Sequence, residues 1–214
     1  MSKTAMIFGD SYSTFKGHIP EGYASWYPSN EKCGETDVNE VEKTWWHQVM
    51  KEADLDLVLN NSWSGSPIGY TGYNNSDCSQ CSSFIYRLRQ LIKDGFFEKN
   101  QIDTVFVFGG TNDSCANAPL GVTQYDGQTE EDLYSVLPAI FYFFKLLRET
   151  LPNATVYCLI NTHLKKEVSD ALVEASERYG ITPIAFEHIE KYWGHPTAAG
   201  MNEIKDKVLS LMNG

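Results

Sequence analysis

The chain has 214 residues, a formal net charge of −11 and a sequence pI near 4.8. That length suits one globular domain spanning 1–214, and a composition 42% hydrophobic and 21% charged excludes a largely disordered chain. The acidity excludes attraction to a phosphate backbone, so no nucleic-acid partner is expected. No apolar run approaches the roughly 18 residues of a membrane span, so no membrane partner is expected either.

The opening MSKTAMIFGD runs straight into an apparent strand, so no signal peptide is expected. Short apolar, β-rich runs then recur at Thr4 to Phe8, Leu55 to Leu59, Ile102 to Phe108, Ala154 to Ile160 and Thr182 to Phe186. Helical spacing fills the intervals near Val41 to Ala53, Ser83 to Asp94, Glu130 to Thr150 and Lys165 to Tyr179, and a last helix near Thr197 to Met212 closes the chain. For the third of these, Thr129 is the expected cap, and Leu133, Leu137, Ile140, Phe144 and Leu147 form the apolar stripe. Strands alternating with helices predict an α/β fold, a three-layer α/β/α sandwich. Its core is a flavodoxin-like, doubly wound sheet of about five parallel strands, whose sites form at the carboxyl ends of the strands.

Three long loops lie at that edge, Ser11 to Glu40, Ser62 to Ser82 and Thr111 to Thr129, and loops of that length in a compact domain are commonly functional. They carry many aromatic residues, among them Tyr12, Trp26, Trp63 and Tyr73, some of which are expected simply to pack the loops onto the domain. The five cysteines, Cys33, Cys78, Cys81, Cys115 and Cys158, are odd in number and irregular in spacing, which does not read as a disulfide framework. A reducing, cytoplasmic setting follows as the expectation. The lone C-x-x-C of Cys78 and Cys81 lacks the second pair that a zinc site needs, so ordinary thiols are expected there, or a disulfide if the protein is exported. No metal and no cofactor are predicted.

Four short segments carry candidate chemistry. FGDSYS places Ser11 directly after the first strand, although Gly, Asp and Ser also make ordinary turns. NNSWSG follows the second strand, and its Gly65 offers an unobstructed backbone N–H. FGGTND follows the third and presents Asn112, an amide donor of the kind an oxyanion needs. GHPTAAG sets His195 at the expected start of the last helix with Pro196 in its first turn, where the helix N-terminus disfavours an imidazolium.

In this order the four segments closely resemble the conserved blocks of the SGNH (GDSL-like) hydrolases, from Ser11 to Gly200. The resemblance implies a serine ester hydrolase with Ser11 as nucleophile and His195 as general base. Gly65 and Asn112 would serve with the Ser11 N–H as the oxyanion hole. It implies an acyl-enzyme mechanism on a small-molecule ester. The aromatic, acidic rim points to a neutral polar substrate such as an acetylated carbohydrate. The pattern departs from the family three residues before the histidine, where an aspartate is usual and Tyr192 stands instead. Glu190 or Glu187, a backbone carbonyl at Tyr192 or Trp193, or nothing could replace it; the carbonyl and a Ser-His dyad are expected. The alternatives are a lysophospholipase or thioesterase of the same fold and a non-catalytic binding protein on the same scaffold. His18 and His163 are candidates for minor substrate contacts.

Overall fold

The computed structural model describes residues 2–30 and 34–212, so Cys33 lies outside the described residues. Five strands form one sheet: β1 (Lys3–Gly9), β2 (Leu55–Ser62), β3 (Thr104–Phe108), β4 (Thr155–Ile160) and β5 (Thr182–Ala185). Their order across the sheet is β2-β1-β3-β4-β5 and every neighbouring pair is parallel. This is the flavodoxin-like order, with its switch point between β1 and β3.

Alternate residues of each strand serve opposite faces, and both faces are buried. Met6 and Phe8 of β1 and Val105 and Val107 of β3 join one apolar cluster. It is covered by α2 (Phe84–Lys93), α5 (Val136–Thr150) and α6 (Lys166–Arg178). Ala5, Ile7, Phe106 and Phe108 point the other way, under α1 (Trp45–Glu52) and α7 (Ala198–Met212). Two short helices, α3 (Phe96–Lys99) and α4 (Thr111–Cys115), complete the helical set among the described residues. None of these helices is long and apolar enough to cross a membrane.

Several boundaries depart from expectation, two of them with a clear physical cause. The helix expected from Glu130 begins at Val136, because Pro138 lacks an N–H and is tolerated only within the first turn. Thr129 instead shares reciprocal hydrogen bonds with Asp132, whose N–H reaches Thr129 Oγ1 at 3.3 Å, at a separate 3₁₀ turn over Asp132–Tyr134. The second strand runs on from Leu59 to Ser62, since its polar end is satisfied internally: Asn60 Nδ2 donates to the Ser13 carbonyl at 2.9 Å and Ser62 Oγ to Asn60 Oδ1 at 2.6 Å. Cys78 is buried and Cys81 exposed, both as free thiols.

Candidate active site

The carboxyl ends of β1, β2 and β3 bring the first three sequence segments together. After β1, the Asp10 carboxylate accepts the Tyr12 N–H at 3.0 Å and caps a 3₁₀ turn over Ser11–Ser13, which fixes Ser11 at the sheet edge. After β3, Gly110 turns in the left-handed region at φ 89° and starts α4, which carries Asn112 and Asp113. The buried Asp113 carboxylate accepts the N–H groups of Ile68 and Gly69, the latter at 3.1 Å, and so draws the loop after β2 onto α4. Asn112 Nδ2 donates to the Ser66 carbonyl at 2.9 Å. Gly65 sits between these contacts at φ 82° with open space where a side chain would stand. Ser11, Trp26, Ser64, Gly65, Tyr73, Asn112 and His195 line a cavity of about 310 Å³.

His195 arrives from the far end of the chain. It lies in a two-stranded ribbon, Lys191–Tyr192 against His195–Pro196, not at a helix start. The helix begins at Ala198, with Thr197 Oγ1 accepting the Gly200 N–H at 3.2 Å as a cap does, so Pro196 precedes the helix instead of opening it. His195 Nε2 lies 2.9 Å from Ser11 Oγ, and Nδ1 lies 3.0 Å from the Trp193 carbonyl oxygen. A carbonyl can only accept, so Nδ1 carries the proton and Nε2 presents a lone pair to the Ser11 hydroxyl.

Tyr192 is 60% exposed. Glu190 is engaged elsewhere than at the imidazole, its Oε1 accepting the Thr197 hydroxyl at 2.6 Å. The ribbon itself is tethered at three places. Tyr12 donates its hydroxyl to the Gly194 carbonyl and Tyr27 to the Pro196 carbonyl, each at 2.7 Å. Lys191 Nζ donates to Asn161 Oδ1 at 3.0 Å and Thr162 Oγ1 at 2.5 Å. Between Lys191 and Gly194, Trp193 adopts a positive φ of 50°, a conformation that non-glycine residues seldom hold without support.

Burial pulls the His195 imidazole down to about 4, with the Lys191 ammonium pushing the same way and the Trp193 carbonyl opposing both. A resting neutral imidazole was expected from a helix terminus; desolvation is the physical cause instead. Burial likewise pushes the Asp10 carboxyl up to about 7, against the Tyr12 N–H and the Thr111 hydroxyl, which favour its ionised form. His18 packs between Phe15 and Trp46, and neither His18 nor His163 lines the cavity.

Two residues make contacts at the site that were not assigned to them from the sequence. Trp26 stacks on His195 with ring centroids 3.3 Å apart and planes 10° from parallel. A loop aromatic has no periodicity to betray such a contact. Arg87 is fully buried and joins the ends of three segments: it donates to the Gly9 carbonyl at 3.3 Å, to Ser66 Oγ at 3.1 Å, to the Ser82 carbonyl at 2.8 Å and to Asn61. Its guanidinium also rests on the Phe84 ring at 4.5 Å. A signal for Arg87 existed, because it falls on the apolar stripe of α2 with Phe84, Leu88 and Leu91.

Residues 3–212 match the sequence profile of the GDSL-like lipase/acylhydrolase family. A protein of Bacteroides uniformis ATCC 8492 described as a GDSL-like lipase is 42% identical with a TM-score of 0.91, the match covering 99% of this chain and 96% of that one. A second, from Bacteroides ovatus ATCC 8483, is 39% identical with a TM-score of 0.91 over 100% and 99% of the two chains. The fold alone is shared with an acetyl xylan esterase of Butyrivibrio proteoclasticus, at 17% identity and a TM-score of 0.57, over 99% of this chain and 64% of that one. No curated protein matches the chain in sequence. With the profile covering nearly every residue and two close structural relatives of the same description, the chain belongs to the GDSL-like lipase/acylhydrolase family.

Proposed function

We propose that the protein is a serine esterase that removes small acyl groups, acetyl foremost, from carbohydrate alcohols through an acyl-enzyme on Ser11. One observation carries this reading: the Ser11 hydroxyl lies 2.9 Å from a histidine nitrogen whose ring partner nitrogen is committed to a main-chain carbonyl, at the wall of an open cavity. In the first half-reaction Ser11 Oγ bonds to the ester carbonyl carbon while its proton passes to His195 Nε2. The tetrahedral oxyanion takes hydrogen bonds from the Ser11 and Gly65 N–H groups and from the Asn112 amide proton that Ser66 leaves unused. Collapse breaks the bond to the alcohol, which departs with the proton from Nε2. Water then attacks the acyl-serine with the same base and the same donors, releasing the carboxylic acid and restoring Ser11.

Support for a carbohydrate alcohol comes from the rim. Tyr73 and Trp26 line the cavity, Tyr73 being 45% exposed; Trp63, next in sequence to the lining residue Ser64, lies against the Tyr23 ring with centroids 4.2 Å apart and planes tilted by 33°, and aromatic faces suit the apolar faces of sugar rings. The shared fold of the Butyrivibrio proteoclasticus acetyl xylan esterase is compatible with that choice. The test is labelling by a fluorophosphonate with Ser11→Ala as control, followed by a panel of esters. Labelling of the wild type alone and acetate release from acetylated sugars are the expected results. Labelling that persists in Ser11→Ala refutes the nucleophile, absence of labelling favours a binding protein on this scaffold, and preference for long acyl chains redirects the reading to a lysophospholipase or thioesterase.

A further inference from the structure

An aspartate in an ordinary catalytic triad has two duties: it selects the imidazole tautomer, and it stabilises the imidazolium that forms as the proton arrives. The Trp193 carbonyl performs the first duty here, as the 3.0 Å contact to Nδ1 shows. A neutral carbonyl dipole does the second only weakly. Among the described residues no carboxylate is hydrogen-bonded to the His195 ring. The nearby titratable groups are Lys191 beyond the Tyr12 ring, the Tyr12 phenol, Tyr73 across the cavity and the buried Asp10 behind Ser11. Lys191 opposes an imidazolium.

What the ring does have is an indole face. Trp26 covers the imidazole in near-parallel contact, 3.3 Å between centroids. Its backbone is fixed by its N–H, which donates to Thr14 Oγ1 at 2.9 Å. Thr14 Oγ1 in turn donates to the Ser11 carbonyl at 2.9 Å, so the indole and the serine are held from the same turn. The negative face of an indole attracts a cation best among the aromatic side chains, and more strongly where water is excluded.

We infer that the Trp26 indole takes over the charge-stabilising duty of the missing aspartate, holding the His195 imidazolium by a cation–π contact while the Trp193 carbonyl holds its orientation. Trp26 is thus a positioning and charge-stabilising residue that acts through His195. The inference rests on the serine–histidine reading above.

The experiment replaces Trp26 with tryptophans carrying one to four fluorine atoms, which drain the negative ring face at nearly constant shape, and adds Trp26→Phe and Trp26→Leu. Acetate release is followed from pH 3.5 to 8. The expected result is a graded fall in kcat along the fluorine series, reaching about 3- to 30-fold at the end, with KM little changed. The acid limb of kcat/KM should move to lower pH along the same series, because the charged form loses support. Trp26→Phe should be intermediate, and Trp26→Leu should lie at or below the most fluorinated ring. A kcat that does not change with fluorination, or an acid limb that moves upward, overturns the inference and leaves Trp26 as a mere wall. Fluorophosphonate labelling run in parallel separates the two levels: a labelled wild type with a flat fluorine series sinks only the role of Trp26, whereas labelling that survives Ser11→Ala sinks the dyad itself.

Discussion

The pH dependence of the proposed reaction follows from the burial of His195. Its imidazole titrates at about 4, roughly 2.5 units below an ordinary histidine. Protonated Nε2 cannot accept the Ser11 proton, so activity is lost as pH falls through that value and is retained above it. At pH 5 a base titrating at about 4 is about 90% neutral, whereas one at about 6.5 is only about 3% neutral. The difference is about 30-fold in rate. The assay is kcat/KM for a neutral acetyl ester, read as acetate released at substrate well below KM, with circular dichroism confirming that the protein stays folded. A midpoint between 6 and 7 in folded protein would refute the desolvation argument. One control is essential, because Asp10, adjoining Ser11, titrates at about 7 and can add its own inflection there. Asp10→Asn should erase that step and leave the acid limb in place.

The same aspartate makes a stability prediction with a definite sign. Its folded value of about 7 exceeds the ordinary 3.8, so the native state keeps a proton that the unfolded chain releases, and stability drains away as pH rises from about 4 to 7. Asp10→Asn should therefore raise stability at pH 8 by up to about 4 kcal/mol, read as a higher Tm, and give no gain at pH 4; equal effects at both pH values would contradict this. Asn112→Ala should lower kcat by about 10² to 10³ with a smaller effect on KM, as loss of one oxyanion donor does; unchanged kcat would remove Asn112 from the site. Arg87→Met leaves the Gly9, Asn61 and Ser82 carbonyls without their buried donor and should cost about 3–5 kcal/mol in urea unfolding. A loss under about 1 kcal/mol would show that water replaces the guanidinium at little cost. Tyr12→Phe frees the Gly194 carbonyl and should slow kcat by about 3- to 10-fold, checked against the sharpness of the His195 Nδ1–H resonance by NMR.

Much of this architecture was legible because strand runs buried on both faces are nearly continuous in apolar residues, as TAMIF and TVFVF are. The ordered segments around Ser11, Gly65, Asn112 and His195 were legible as well, and the fold brings all four residues to one cavity. What the sequence concealed depends on contacts across long separations. Arg87 stands on the apolar stripe of α2, but nothing in the sequence says which carbonyls at the ends of β1 and β2 meet it there. The 3.3 Å stack of Trp26 on His195 joins residues at opposite ends of the chain. The placement of Pro196 misled because Pro followed by Thr-Ala-Ala satisfies a helix start one residue either way, and only the Thr197 cap decides it.

The acceptor that steadies His195 is main chain, and this has a consequence for inheritance. Every residue type supplies a carbonyl at position 193, so no substitution there removes the acceptor itself; a substitution acts on it only through the positive φ of 50° that aims it. The side chain there is correspondingly unconstrained by that duty, and the Trp193 indole stands 66% exposed. Alanine scanning would report the side chains of Ser11, His195 and Asn112 and leave this acceptor in place, while the residues that hold a positive φ most readily, glycine and asparagine, are the replacements that keep the hydrogen bond beneath it.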